Sequence, residues 1–282
     1  MDKIAVATDF SARSDQAVLR AKLIAQKTGA ELALIHIVDD DQPEEVIVSS
    51  RSIAMSVLRD IARTLENDGV AADPVVGVGD IARGILAAAD AVAADLIVVG
   101  PHRKRPADVF IGTTVERVVR RSERPLLVAV GSPSKHHRRT LLAIDFDDAS
   151  KAAARAALDL GVFDHTDVVV MHAFDAMGDG LMLRTFAPPS EVSAYRAGER
   201  INTISALHDL LGELSLPVST TRVVAMNGSP ARTILESAEH EAADLIIVGT
   251  NQRKGFARLL VGSIAGDVIR DTQRDILIVP TA

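Results

Sequence analysis

The chain has 282 residues, of which 48% are hydrophobic and 24% charged, a composition typical of a globular protein without disordered or membrane-spanning segments. Its start reads directly as a strand and lacks the pattern of a signal peptide, so a cytoplasmic protein with no membrane partner is expected. The lack of cysteine excludes disulfides and thiolate chemistry, and a net charge of −7 with 3% aromatic residues argues against nucleic acid as a partner.

Short apolar runs alternate with helical patterns in the first half of the chain. The expected strands cover residues 4–8, 32–37, 75–78, 96–99 and 125–128, and the expected helices run to about residue 27, from 44 to 66 and from 81 to 92. Ser11 and Asp80 stand where they can cap helices, and Gly29 can end the first helix. Since unbroken apolar runs suit strands covered on both faces, the alternation predicts a parallel sheet.

The second half repeats the first. Asp9 and Asp145 both follow a first strand and are separated by 136 residues, whereas Gly100 and Gly249 are separated by 149. The second half therefore carries 13 extra residues, which fall near residues 178–189, between its second and third strands. A duplicated chain of this length predicts two α/β domains of ordinary size.

The expected domain boundaries follow from the composition between the repeats. The first domain covers residues 1–131, a linker rich in polar residues covers 132–139, and the second domain covers 140–282. The run from His136 to Arg139 could hold an anion, although an exposed linker explains it better.

A candidate ligand site lies where the fourth strand of each half ends in glycine and a later glycine precedes a hydroxyl residue. A helix N-terminus there would offer unpaired N–H groups and a favourable dipole to phosphate. The alternative is an ordinary turn followed by an ordinary helix cap. The residues of this pattern are Gly100, Gly112 and Thr113 in the first half, and Gly249, Gly262 and Ser263 in the second.

These features together resemble the universal stress protein family in its tandem two-domain form. The resemblance rests on the aspartate after each first strand, the histidine near the end of each second strand, and Val-Gly-Thr at 248–250 with Leu-Leu-Val-Gly-Ser at 259–263. It implies two doubly wound domains, each a five-stranded parallel sheet of order 3-2-1-4-5 with helices on both faces. It also implies that the fifth strands pair across a two-fold axis, so that one chain resembles a fused dimer, which could form a homodimer in turn.

The resemblance further implies an adenine nucleotide ligand, ATP above all, alone or with Mg²⁺. The implied second-domain residues are Asp145, Ala173, Gly249, Gln252, Gly262, Ser263 and Ile264. Their first-domain equivalents are Asp9, Ile37, Gly100, Arg103, Gly112, Thr113 and Thr114. The family motif has a further glycine where this chain has Gln252 and Arg103, and the first-half loop is one residue shorter. The second domain is therefore the expected main site.

Three other patterns have simpler readings beside a functional one. Gly77-Val78-Gly79 with Gly84 looks like a dinucleotide fingerprint, but its third glycine comes too late and a strand-end turn is favoured. His36 and His172 lack neighbouring ligands, which favours packing over metal binding. The run of aspartates at 39–41 could assist Mg²⁺, with a solvated acidic turn as the default.

Catalytic signatures are missing from the sequence: there is neither a nucleophile elbow nor a Walker loop. A binding or sensing protein is therefore favoured, and the family resemblance implies a non-enzymatic stress-response sensor or regulator that binds nucleotide. Two alternatives stay open, an interaction scaffold with degenerate sites and a slow ATP hydrolase.

Overall fold

The structure is a computed structural model that describes residues 1–101, 113–174, 188–226, 228–251 and 263–281. The first half contains strands β1 (Lys3–Ala7), β2 (Glu31–Val38), β3 (Ala72–Val78), β4 (Leu96–Val99) and β5 (Leu126–Val128), with helices α1 (Ala12–Thr28), α2 (Glu44–Asn67), α3 (Ile81–Ala91) and α4 (Thr114–Arg121). The second half contains strands β6 (Arg139–Ala143), β7 (Asp167–Phe174), β8 (Thr220–Ala225), β9 (Leu245–Asn251) and β10 (Asp275–Thr281), with helices α5 (Asp148–Asp159), α6 (Pro189–Leu214), α7 (Pro230–His240) and α8 (Ser263–Asp271). Most of the expected insertion at 178–189 lies outside the described residues.

The described strands form one sheet in the order β3-β2-β1-β4-β5-β10-β9-β6-β7-β8. Within each half the strand pairs are parallel, and the half's first strand lies between its second and fourth. The two last strands, β5 and β10, pair antiparallel, with Ile276 opposite Val128 and Ile278 opposite Leu126. The predicted doubly wound α/β class is confirmed, and the strand order places a crevice at the carboxyl ends of β1 and β4.

Side-chain caps set where the helices begin. The side chains of Ser11, Asp80 and Asp147 each accept a hydrogen bond from the main-chain N–H three residues further on. Gly29, with φ of 77°, ends α1 in the left-handed conformation that glycine favours. Asp147 therefore sets the start of α5 at Asp148.

The aspartate before the fourth strand has the same structural task in both halves. The Asp95 carboxylate accepts hydrogen bonds from the main-chain N–H groups of Asp2 and Lys3, at 2.6 and 3.0 Å. Asp244 does the same at the entry to β6, at 2.9 and 3.2 Å. Each aspartate therefore fixes the start of the first strand against the start of the fourth.

Helices cover both faces of the sheet, as predicted. One buried cluster packs α1, α2, α5 and α6 against one face, and a second packs α3, α4, α7 and α8 against the other. Alanines dominate the buried stripe of α1, where Ala17 and Ala21 are fully buried, so the helix axis comes close to the sheet. Among the described helices, none is both long and apolar enough to cross a bilayer.

The predicted linker is largely exposed, as expected, but hydrogen bonds fix it at several points. The Arg20 guanidinium donates to the carbonyl oxygens of Lys135 and Ser132, at 2.7 and 3.0 Å. His137 Nε2 lies 2.8 Å from the Asp275 carboxylate, with only 12% of its side chain exposed. The linker is therefore held by α1 on one side and by β10 on the other.

Candidate functional site

A cavity of about 340 Å³ lies at the carboxyl ends of β1 and β4 in the first half. Its walls come from the turn between β1 and α1, the end of β2, the start of α3 and the start of α4. This is the crevice where ligands bind in open α/β sheets, since the chain leaves the two neighbouring strands in opposite directions. Its volume falls within the range of about 300–1,000 Å³ that is usual for small-molecule sites.

The turn between β1 and α1 is fixed by side-chain hydrogen bonds. The Asp9 carboxylate accepts from the Ser11 hydroxyl at 2.5 Å and from the Ser11 main-chain N–H at 3.1 Å. The Thr8 and Ser14 hydroxyls lie 3.0 Å apart, and the Asp9 N–H donates to the Ser14 hydroxyl. Phe10 adopts the left-handed region, with φ of 60°, and its N–H donates to the Thr8 hydroxyl. These bonds hold the Asp9 carboxylate at the edge of the cavity.

Asp9 is held in its ionised form by this environment. Burial raises the pKa of Asp9, but the hydrogen bonds from Ser11 and Ser14 and the charge of Arg13 together outweigh it, so the pKa lies below its ordinary value. At neutral pH the carboxylate is an acceptor only. It can therefore receive hydrogen bonds from hydroxyl or amino groups of a ligand.

The repeated histidines each bond a main-chain carbonyl near the end of the half's first strand. His36 Nδ1 lies 2.9 Å from the carbonyl oxygen of Thr8, and because a carbonyl only accepts, this nitrogen carries the proton. The His36 ring stacks on Phe10 with centroids 4.4 Å apart. In the second half, His172 bonds a main-chain carbonyl at 2.9 Å and lies 4.8 Å from the Phe146 ring. This geometry fits the packing role expected from the sequence.

The glycine at or near the end of the fourth strand of each half leaves room for the start of a helix. A Cβ atom on Gly100 would lie 2.7 Å from the carbonyl oxygen of Arg13, and a Cβ on Gly249 would lie 2.3 Å from that of Ala149. The sequence reading assigned these glycines to phosphate or to a turn and missed this contact. Their lack of a side chain brings the first turn of α1, or of α5, against the strand end.

The start of α4 forms the opposite side of the cavity. Thr113 caps this helix by accepting a hydrogen bond from the Glu116 N–H at 3.2 Å, and Thr113 and Thr114 both line the cavity. The first N–H groups of a helix have no acceptor within the helix. Together with the helix dipole, they make this side of the cavity favourable for an anion.

The wall formed by the end of β2 depends on two glycines. A Cβ atom on Gly77 would lie 2.7 Å from Ile37 Cδ1, and one on Gly84 would lie 2.8 Å from Ile37 Cγ2. These glycines therefore make room for the Ile37 side chain, which explains the pattern that resembles a dinucleotide fingerprint. In the second half the small and large residues are exchanged. Ala173 stands at the position of Ile37, and Met226 and Thr233 stand at those of Gly77 and Gly84.

The structure brings together the described members of the predicted first-domain set. Those that line the cavity are Asp9, Ile37, Gly100, Thr113 and Thr114. Arg103, Gly112, Gln252 and Gly262 lie outside the described residues. In the second half, Asp145 follows β6 and Ala173 lies within β7. Gly249 lies in β9, and Ser263 and Ile264 open α8. The sequence reading missed Arg13, Ile81 and Ile85, which also line the cavity.

The aspartates at 39–41 form a compact acidic group. One carboxylate oxygen of each lies within 4.8 Å of the others, and the Asp41 N–H donates to the Asp39 carboxylate at 3.2 Å. Two of the three are exposed, and exposed acidic groups of this kind are common without a cation. The geometry fits the solvated acidic turn.

Two doubly wound α/β units in one chain, with a cavity of ligand size at the switch point of the first, define a tandem protein of the doubly wound α/β class. The sequence model of the Universal stress protein family matches residues 1–129 and again 136–280. The chain belongs to the universal stress protein family, as its sequence features predicted.

Similar proteins support this assignment along the whole chain. A universal stress protein of Mycolicibacterium smegmatis is 24% identical over 98% of this chain and 96% of its own length. Universal stress protein MJ0531 of Methanocaldococcus jannaschii is 25% identical over 51% of this chain and 82% of its own length. The crystal structure of a universal stress protein from Archaeoglobus fulgidus has a TM-score of 0.72 at 19% identity, over 99% of this chain and 98% of the other, and so shares the fold.

Proposed function

We propose that this protein binds an adenine nucleotide at the carboxyl edge of its sheet and acts in the stress response as a sensor or regulator, without catalysis. The observation that carries the proposal is the first-half cavity, which has an ionised carboxylate at one side and a helix N-terminus at the other. A nucleoside phosphate presents hydroxyl donors and an anion at separate ends. The cavity offers a matching partner for each.

The parts of the ligand map onto the walls of the cavity. The adenine ring lies against Ile37, Ile81 and Ile85, where aliphatic side chains exclude water, and the main chain at the end of β2 offers polar groups to its edge. Asp9 accepts hydrogen bonds from the ribose hydroxyls. The phosphates extend toward Thr113 and the start of α4, with ATP as the favoured ligand, alone or with Mg²⁺.

The pairing of β5 with β10 supports a second part of the proposal. An unpaired last strand would leave an open sheet edge, and each half covers the edge of the other. One chain thus takes the place of a dimer of single domains. Binding in one half could then reach the other through a shared sheet, and association of two chains would give a four-domain assembly.

The direct experiment is calorimetric titration of the purified full chain with ATP, ADP and AMP, with and without Mg²⁺. Asp9→Asn should weaken binding strongly if the first-half cavity holds the nucleotide, whereas Asp145→Asn, the matched change in the second half, should then have little effect. The reverse result would move the site to the second half. The absence of any binding would support the nucleotide-free scaffold, and turnover of ATP would support the hydrolase.

A second pair of variants tests the glycine spacing, which favours the second half. Gly262→Val and Gly112→Val each place a β-branched side chain where phosphate is expected to lie. If the nucleotide binds in the second half, where the glycine spacing of the family motif is kept, Gly262→Val abolishes most binding and Gly112→Val changes it little. If the first-half cavity is the site, the order of the two effects is inverted.

A further inference from the structure

The two halves differ in charge at the start of the helix that follows the first strand, although two residues beyond Arg13 the difference reverses, with Asp15 in the first half and Lys151 in the second. Both Ser14 and Ser150 accept a hydrogen bond from the N–H of the aspartate before the helix, at 3.2 and 2.9 Å, so the two turns align without a shift. The glycine contacts with the Arg13 and Ala149 carbonyls confirm the same alignment. The first half has Ser11, Ala12 and Arg13 where the second half has Asp147, Asp148 and Ala149.

Arg13 brings a positive charge to the first-half cavity. Among the described residues that line this cavity, it is the one lysine or arginine. Its charge acts on the neighbouring Asp9 carboxylate and helps to lower the pKa of Asp9. Arg117, the arginine in the first turn of α4, instead pairs with Asp80 outside the cavity lining.

We propose that Arg13 makes the first-half cavity selective for the phosphate charge of its ligand, so that affinity rises from adenosine through AMP and ADP to ATP. The inference rests on the proposed nucleotide function. A guanidinium forms paired, charge-assisted hydrogen bonds with phosphate, and in a half-enclosed cavity these are stronger than in water. Asp147 and Asp148 are exposed at the equivalent place and repel the same phosphates. The second half has Ala149 at the position of Arg13, so this selectivity is expected in the first half.

The test compares four ligands on four forms of the full chain. ATP, ADP, AMP and adenosine are titrated calorimetrically into the wild type, Arg13→Gln, Arg13→Lys and Arg59→Gln. Arg59 is exposed on α2 and lies outside the cavity lining, so its substitution reproduces the change in net charge alone. Arg13→Gln keeps the main-chain carbonyl that packs against Gly100, and circular dichroism with a melting curve checks that it folds.

The expected result is a loss for Arg13→Gln of about tenfold or more in ATP affinity, the size of a lost hydrogen bond to a charged group, with less than about a twofold change for adenosine. Arg13→Lys should recover part of the loss, and Arg59→Gln should match the wild type. An equal loss for adenosine and ATP, or an unchanged ATP affinity, would overturn the role of Arg13. A wild type that binds all four ligands equally would overturn it too while leaving the nucleotide function standing, whereas a wild type that binds none would overturn both.

Discussion

Arg20 Nε lies 2.5 Å from the Asp275 carboxylate, and this ion pair joins α1 of the first half to β10 of the second. Both side chains are buried, with 4% and 0% of their surface exposed. The other oxygen of Asp275 accepts hydrogen bonds from the main-chain N–H groups of Val130 and Gly131, at 2.8 and 2.7 Å. The carboxylate of Asp275 therefore connects the last strand to α1 and to the segment that follows β5.

We expect Arg20→Met to destabilise the protein by about 3–5 kcal/mol, because the Asp275 carboxylate stays buried after it loses its guanidinium partner. The matched control is Arg63→Met, whose ion pair with Asp60 is 72% and 69% exposed. It should cost less than about 1 kcal/mol. Thermal unfolding midpoints of the two variants measure the difference. Equal unfolding midpoints for the two variants would show that the buried ion pair stabilises the protein no more than the exposed one.

Local rules were enough to predict most of the fold. The apolar runs located the strands, and the caps Ser11 and Asp80 located two helices, because these signals act over a few residues. The Arg20–Asp275 pair could not be found in this way. Its partners are far apart in the chain, and the second half has Ala156 where the first has Arg20, so the repeat itself does not point to it.

Part of the candidate site could also be predicted from signals that act over a few residues. Asp9 and Thr113 occupy strand-end and helix-start positions that a sequence pattern can recognise, and both line the cavity. Arg13 was missed because the family motif specifies glycines and a hydroxyl residue, and it includes no charged position. The contact of Gly249 with the Ala149 carbonyl was missed because it joins a strand to a helix about a hundred residues earlier, and only the fold brings them together.

The close approach at Gly249 predicts a large effect of one methyl group. Gly249→Ala should destabilise the protein by about 1–3 kcal/mol, since the new Cβ would overlap a main-chain oxygen that cannot rotate away. Gly212→Ala is the control, because that glycine lies in α6 with open space around it. It should stabilise the helix by about 0.5–1 kcal/mol. A raised melting temperature in both variants would contradict the packing argument.

Glu241 should make stability depend on acid pH. Its carboxylate accepts hydrogen bonds from Arg222 at 2.8 Å and from Arg139 at 2.7 Å. The bond from Arg222 lowers the pKa of Glu241 more than burial raises it, and Arg139 adds to the effect, so the folded pKa lies below the ordinary 4.5. The stabilisation is then fully present above the unfolded pKa and is lost as the pH falls through the folded pKa.

Glu241→Gln should therefore melt below the wild type at pH 7, and the gap should narrow as the pH falls below 4.5. Melting curves between pH 7 and pH 3 measure this convergence. Glu66→Gln, at an exposed position in the last turn of α2, serves as the control and should differ little from the wild type at neutral pH. A Glu241→Gln gap that stays constant across the range would rule out the ionic origin of the effect.

The Ile37 side chain fills the space that a Gly84 side chain would need, so we expect substitutions at these two residues to be energetically coupled. Gly84→Ala alone should destabilise, because its Cβ would lie 2.8 Å from Ile37 Cγ2, and Ile37→Ala alone should cost about 2–5 kcal/mol through the space it leaves. In the double variant the new methyl group enters that space, so the combined loss should be smaller than the sum by about 1 kcal/mol or more. Melting curves of the four forms complete the cycle. Gly198→Ala, an exposed α6 position with nothing near it, should add to Ile37→Ala without coupling, and additivity at Gly84 as well would show that the two residues do not share this space.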